Sequence, residues 1–153
     1  MTALVVDRDR RYLRRAIELA NSCPPSRTAF SVGAVIVDTD GAVIATGYSR
    51  ETDPHDHAEE AALAKLTPPD IRLAAATLYS SLEPCSSRAS RPVSCIELIL
   101  ATPIPRIVFA WREPDLFVDC EGAELLRAAG RNVVEIPDLA QLARHPNEHL
   151  WTP

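Results

Sequence analysis

No stretch of the chain approaches the ~18 consecutive apolar residues of a membrane-spanning helix. The opening residues, Met1 to Arg8, lack the apolar core of a secretion signal. Both absences lead to the expectation of a soluble, cytoplasmic protein with no membrane partner. In a reducing compartment the four cysteines are not expected to form two disulfides. Aromatic residues are scarce, at 5%, so an aliphatic core is expected. Excess positive charge is missing too: 16 Lys and Arg against 21 Asp and Glu leave a net charge of -5. That balance argues against a broad phosphate-tracking face and for a small-molecule partner rather than nucleic acid. No repeat, low-complexity tract or long linker divides the 153 residues. One domain over residues 1–153, large enough for a sizeable core, is therefore expected.

Periodicity outlines the elements. From Asp9 to Ala20, Tyr12, Leu13, Ala16, Ile17 and Ala20 fall at helical spacing. Arg10, Arg11, Arg14, Arg15 and Glu18 take the other face, read as solvated rather than as a nucleic-acid patch. Pro24 and Pro25 end this helix. Val32–Val37 and Ala42–Thr46 read as strands joined through Asp40-Gly41, with a loop opening at Gly47. A helix is expected from His57 to about Leu66, stopped by Pro68 and Pro69, then a strand over Thr77–Ser81. A helix over about Ser94–Ala101, a strand over Ile107–Trp111, a helix over Glu121–Ala129 and a strand over Asn132–Ile136 follow. Gly130 stands where a helix-ending glycine belongs. Asp138–Arg144 reads as a final helical turn, and the residues through Trp151 are ambiguous. A helix between the last two strands makes them parallel. The expected fold class is α/β, a three-layer α/β/α sandwich around a mixed five-stranded sheet.

Chemistry concentrates in His57-Ala58-Glu59, Pro84-Cys85 and Cys95. One imidazole and two thiolates can hold a zinc ion, and three protein ligands leave the fourth position open, the mark of a catalytic site. Helix starts favour the thiolates that zinc requires. Glu59, two residues beyond the histidine, is the candidate catalytic proton shuttle, and the layout is that of a hydrolytic zinc deaminase. A competing reading makes Asp56 an N-cap and Glu59 its capping-box partner. His-x-Glu alone is weak, and so is a cysteine pair with nine residues between its members; their joint occurrence at two helix starts is specific. His55 is read as exposed, His145 and His149 as tail residues without chemistry, and Cys23 and Cys120 as plain thiols.

With these motifs the chain resembles the cytidine-deaminase-like superfamily, most closely the deaminase domain of bifunctional riboflavin-biosynthesis proteins. The resemblance runs from about Tyr12 to Ile136 and includes Val32–Val37, Gly47-Tyr48, Ala76–Tyr79 and Leu82–Ser86. It implies zinc ligands His57, Cys85 and Cys95, a shuttle at Glu59 and an arginine contact at Arg91. It also implies a homodimer meeting through helices near the zinc loops. Ile96–Leu100 serves either that interface or, by the preferred reading, the core. Thr28, Ala29 and Phe30 stand where the family usually has Pro-Asn-Pro, and Ser87 and Arg88 where it has histidines. No reductase domain follows, which suggests a standalone deaminase.

The reading is a zinc-dependent deaminase of a small amino-substituted heterocycle, with Phe30, Ala58, Pro84 and Arg91 as substrate-binding candidates. Phe30 would stack on the ring, and the Pro84-Cys85 backbone would orient the amine. The riboflavin-pathway diaminopyrimidinone phosphate is the alternative substrate. A non-catalytic zinc module and a nucleic-acid-editing deaminase are the rival functions.

Overall fold

Short aliphatic and β-branched runs assemble, in the computed structural model, into one mixed sheet covered by helices on both faces. The structure describes residues 3–67, 69–87, 91–112, 114 and 120–151. Helix α1 spans Ala3–Ala20 and starts well before the expected Asp9, because no proline or glycine interrupts residues 3–8. Strands β1 (Gly33–Val37) and β2 (Val43–Tyr48) form the antiparallel hairpin. Its turn is closed by Asp38, whose carboxylate accepts from the amides of Asp40 and Ala42, each at 2.9 Å.

β2 continues through Gly47 and Tyr48, where a loop is expected from sequence. The reason lies in packing: helix α2 (Ala58–Leu63) crosses directly over Gly47. A Cβ there would sit 2.4 Å from the Ala58 carbonyl oxygen and 2.5 Å from the Ala62 nitrogen. Gly47→Ala is expected to push α2 off the sheet and cost about 1–3 kcal/mol, read by urea unfolding, with weaker zinc retention because His57 precedes α2.

β3 (Thr77–Leu82) pairs antiparallel with β1, and β4 (Arg106–Trp111) pairs parallel with β3. β5 (Asn132–Glu135) pairs parallel with β4, giving the order β2-β1-β3-β4-β5. Helix α3 (Cys95–Leu100) connects β3 to β4, and α4 (Gly122–Ala128) connects β4 to β5. Gly130, at φ 84°, follows α4 in the left-handed conformation. A 3-10 turn over Ile71–Ala75, capped by Asp70, has no counterpart in the sequence-based expectation. α5 (Ala140–Arg144) lies between 3-10 turns at Pro137–Leu139 and His145–Trp151, so the ambiguous tail is ordered. Buried Asn147 clamps it, receiving the Ser31 amide at 2.6 Å and donating to the Ser31 carbonyl at 3.0 Å. Pro68, expected to help stop α2, lies outside the described residues.

The three layers follow the pleat. α1 and α5 bury Tyr12, Leu13, Ala16, Ile17 and Ala143 against Val35, Val37, Tyr79 and Val108. α2, α3 and α4 bury Ala58, Ala62, Ile96, Ile99, Ala123 and Leu126 against Ala34, Ile36, Leu78, Ile107 and Phe109. Ile96 and Ile99 thus serve the core, the preferred reading of that segment. Exposed Arg11, Arg14 and Arg15 lie on α1, across the sheet from α2 and α3.

One charged cluster ties α1 to the sheet. Asp9, 1% exposed, accepts from the Tyr79 hydroxyl at 2.7 Å and from both terminal Arg106 nitrogens at 2.7 and 2.5 Å. Removing one partner of such a buried pair strands the other charge. Arg106→Ala is expected to cost about 3–5 kcal/mol, seen as a lower urea midpoint. Among the described residues no helix is long and apolar enough to cross a membrane.

Candidate active site

Local chain chemistry decides which side chain points inward at the start of α2. Asp56 does not cap the helix. Its Oδ2 is taken by the Thr52 hydroxyl at 2.8 Å and the Asp53 amide at 3.1 Å. His57 becomes the N-cap, in extended conformation, and Glu60 at the third helical position accepts the His57 amide at 3.3 Å. The capping pair of the competing reading is therefore shifted by one residue, and Glu59 takes no part in it. Glu59 instead turns into the protein, where it is 3% exposed.

Cys85 follows β3, and Cys95 opens α3 behind a capping box in which Ser94 and Glu97 exchange hydrogen bonds at 3.2 and 2.9 Å. The Cys95 amide donates to the Cys85 sulfur at 3.3 Å, and the Ile96 amide to the Cys85 carbonyl at 3.1 Å. His57 Nδ1 lies 3.4 Å from Cys85 Sγ and 3.3 Å from Cys95 Sγ. The three donor atoms lie within 4.8 Å of one another, the one such metal-competent group among the described residues. Tetrahedral zinc at ordinary bond lengths separates a sulfur from a nitrogen by about 3.6 Å, so this donor set fits zinc through Nδ1. The Cys95 thiol, then His57, hold the Cys85 thiol well below its usual range against the opposing effect of burial. A thiolate there is the form a metal requires.

Glu59 Oε1 accepts the Ser80 hydroxyl at 2.6 Å. Burial pushes the Glu59 carboxyl above its ordinary value, and the Ser80 hydrogen bond opposes that shift.

The other expected site residues are placed as follows. Ala58 is buried as the first residue of α2. The Pro84 carbonyl receives the Cys120 thiol at 3.3 Å. Phe30 is buried, its ring 5.6 Å from Trp111 in an edge contact and 6.1 Å from Trp151. Sequence reasoning did not find those two tryptophans as its neighbours; nothing local links residues 30, 111 and 151. Arg91 is held by acids of the loop and helix carrying His57: Asp53 at 3.1 Å, Asp56 at 3.3 Å and Glu60 at 3.6 Å. Arg88 lies outside the described residues, as do Ala89 and Ser90. His55 is exposed and His145 reaches Glu148 at 3.6 Å. Cys23 is half-buried, its thiol on the Val32 carbonyl at 3.5 Å.

An imidazole–dithiol metal site beside a buried glutamate, on an α/β/α frame, belongs to the class of zinc-dependent deaminases. The model of the cytidine and deoxycytidylate deaminase zinc-binding region matches residues 6–111, and the chain belongs to that family. The diaminohydroxyphosphoribosylamino-pyrimidine deaminase of Schizosaccharomyces pombe is 46% identical over 126 residues, covering 81% of this chain and 31% of that protein. Among solved structures, Acinetobacter baumannii RibD superposes with a TM-score of 0.77 at 29% identity, covering 94% of this chain and 39% of that one. The Aspergillus oryzae Rib2 deaminase, solved in complex with DARIPP, gives 0.71 at 26% identity, covering 94% and 96%. The chain spans 31% and 39% of two curated relatives, in S. pombe and Aquifex aeolicus, so it matches about a third of their length. The fold is cytidine-deaminase-like, as expected.

Proposed function

We propose that residues 1–153 act as one zinc-dependent hydrolytic deaminase domain whose substrate is a diaminopyrimidinone bearing a ribosylamino phosphate. The observation that carries the catalytic part is Glu59, a fully buried carboxyl beside a three-donor metal cluster. A purely structural zinc site has no use for such a group, and its burial costs free energy. The S. pombe relative and the Rib2 complex support this substrate over a free base.

His57 Nδ1, Cys85 and Cys95 would hold a zinc ion, which would supply Lewis acidity and make water a nucleophile at neutral pH. Glu59 accepts a proton from the attacking water and passes it to the ring nitrogen. The water oxygen bonds to the ring carbon. Glu59 then moves the second water proton to the amine, the carbon–nitrogen bond breaks, and ammonia leaves a ring carbonyl behind. The backbone at Ala58 and Pro84 borders the amine. Phe30, backed by Trp111 and Trp151, forms an apolar wall. Arg91 orders the Asp53–Glu60 segment that presents His57. A homodimer is carried with this reading on the family resemblance, and a cytoplasmic location is proposed with it.

Ammonia release by the zinc-replete protein tests the proposal across the phosphorylated diaminopyrimidinone, its dephosphorylated form, cytosine, guanine and cytidine. The largest kcat/KM is expected for the phosphorylated substrate. A larger value for a free base would overturn the substrate, and silence across the panel would return the chain to the non-catalytic zinc module.

A further inference from the structure

We propose that Ser80 is a positioning residue for Glu59, a role that rests on the deaminase reading above. β3 presents Leu78, Ser80 and Leu82 to one face, since alternate residues share a side. Ser80 is flanked across the strands by Ala34 of β1 and Phe109 of β4. Its neighbours on this face are thus aliphatic or aromatic core residues. Ser80 is a hydroxyl at 0% exposure within that apolar layer. An alanine would satisfy the packing, whereas a buried hydroxyl needs a partner.

The partner is Glu59. Ser80 Oγ stands 2.6 Å from Glu59 Oε1 and 2.7 Å from the Leu82 carbonyl oxygen. One hydroxyl proton serves one of these acceptors at a time, while the oxygen can also accept. The Ser80–Glu59 contact survives when the carboxyl carries a proton in mid-reaction, because a proton on Oε2 leaves Oε1 a carbonyl oxygen that still accepts the Ser80 hydroxyl. Fixing Oε1 leaves Oε2 as the oxygen that moves protons, on a carboxyl that keeps its place throughout the cycle. Ser80 touches neither substrate nor metal in this account.

The test compares S80A, S80C and S80T with the native protein, all zinc-replete. S80A is expected to lower kcat by about 10²-fold, the cost of a misplaced group, with KM within about twofold, zinc content unchanged and the protein still folded under the assay conditions. S80T, which keeps the hydroxyl, is expected to recover most of kcat. Native kcat in S80A, or a loss that follows zinc content or unfolding, overturns the proposal. Should S80A not fold, S80C carries the comparison: similar in size and a weak donor, it is expected to lose kcat, and native kcat in S80C overturns the role. The Glu59 carboxylate infrared band, isolated by subtracting the Glu59→Gln spectrum, is expected to shift in S80A whether or not turnover occurs. A native protein silent on all substrates with that shift present refutes the deaminase reading alone; an unshifted band refutes the Ser80 contact.

Discussion

Glu59→Gln is expected to lower kcat for ammonia release by about 10²–10⁴-fold, the usual contribution of a positioned proton-transfer group, while the protein keeps its zinc. Glutamine preserves the shape and can still accept the Ser80 hydroxyl through its carbonyl, so packing gives no reason for the loss. Stability points the other way. Burial raises the Glu59 carboxyl in the zinc-free protein, so its contribution to folding is full below the unfolded carboxyl value and is lost as pH rises through the raised one. Glutamine carries no such penalty, and the zinc-free variant is expected to be at least as stable as the native chain at neutral pH. Zinc analysis, urea unfolding and initial rates on the same preparations separate these effects. Native turnover in the variant would remove Glu59 from the mechanism.

Cys95→Ser is expected to take zinc from about one equivalent to a trace after gel filtration, and activity with it. Three donors would share the ion in the proposed site, and apparent zinc affinity in small protein sites amounts to about 10–16 kcal/mol, so loss of one soft ligand is expected to remove a large fraction of it. Cys85→Ser is expected to behave alike, since the two sulfurs stand at 3.4 and 3.3 Å from the same imidazole nitrogen. Cys23→Ser and Cys120→Ser are the controls, with full zinc expected, because neither thiol belongs to the donor cluster. Chelation of the native protein is expected to reproduce the ligand variants: lower thermal stability, no ammonia release, and recovery on adding zinc back. Full zinc content in Cys95→Ser would refute the ligand set.

The order of elements and the metal-competent cluster were legible because both are written in short-range patterns. Aliphatic runs separated by Asp40-Gly41 and Gly130 marked strands and helix ends, and the parallel pairing of β4 with β5 followed from the helix between them. His57, Cys85 and Cys95 converge as their joint pattern indicated. What stayed hidden depends on contacts distant in sequence. The cap frame of α2 turned on Asp56, whose carboxylate is spent on Thr52 and Asp53, leaving the cap to His57 and Glu60. β2 ran past Gly47 because α2 packs on it. The tail gained order from Asn147 meeting Ser31 across 116 residues. Ser80 looked like any strand serine until the layer around it proved apolar and Glu59 proved to be its neighbour. Arg91, legible as a site arginine, spends its charge on three carboxylates of the His57 segment.

The central claim is hydrolytic deamination at the His57–Cys85–Cys95 centre with Glu59 carrying the protons. The most direct measurement is a single turnover of zinc-replete protein with the phosphorylated diaminopyrimidinone in water enriched in heavy oxygen, following ammonia and product mass together. One ammonia per ring converted and one heavy oxygen on each product ring are expected, with both signals lost in Glu59→Gln. Product without heavy oxygen, or ammonia release that persists in Glu59→Gln, would contradict that claim.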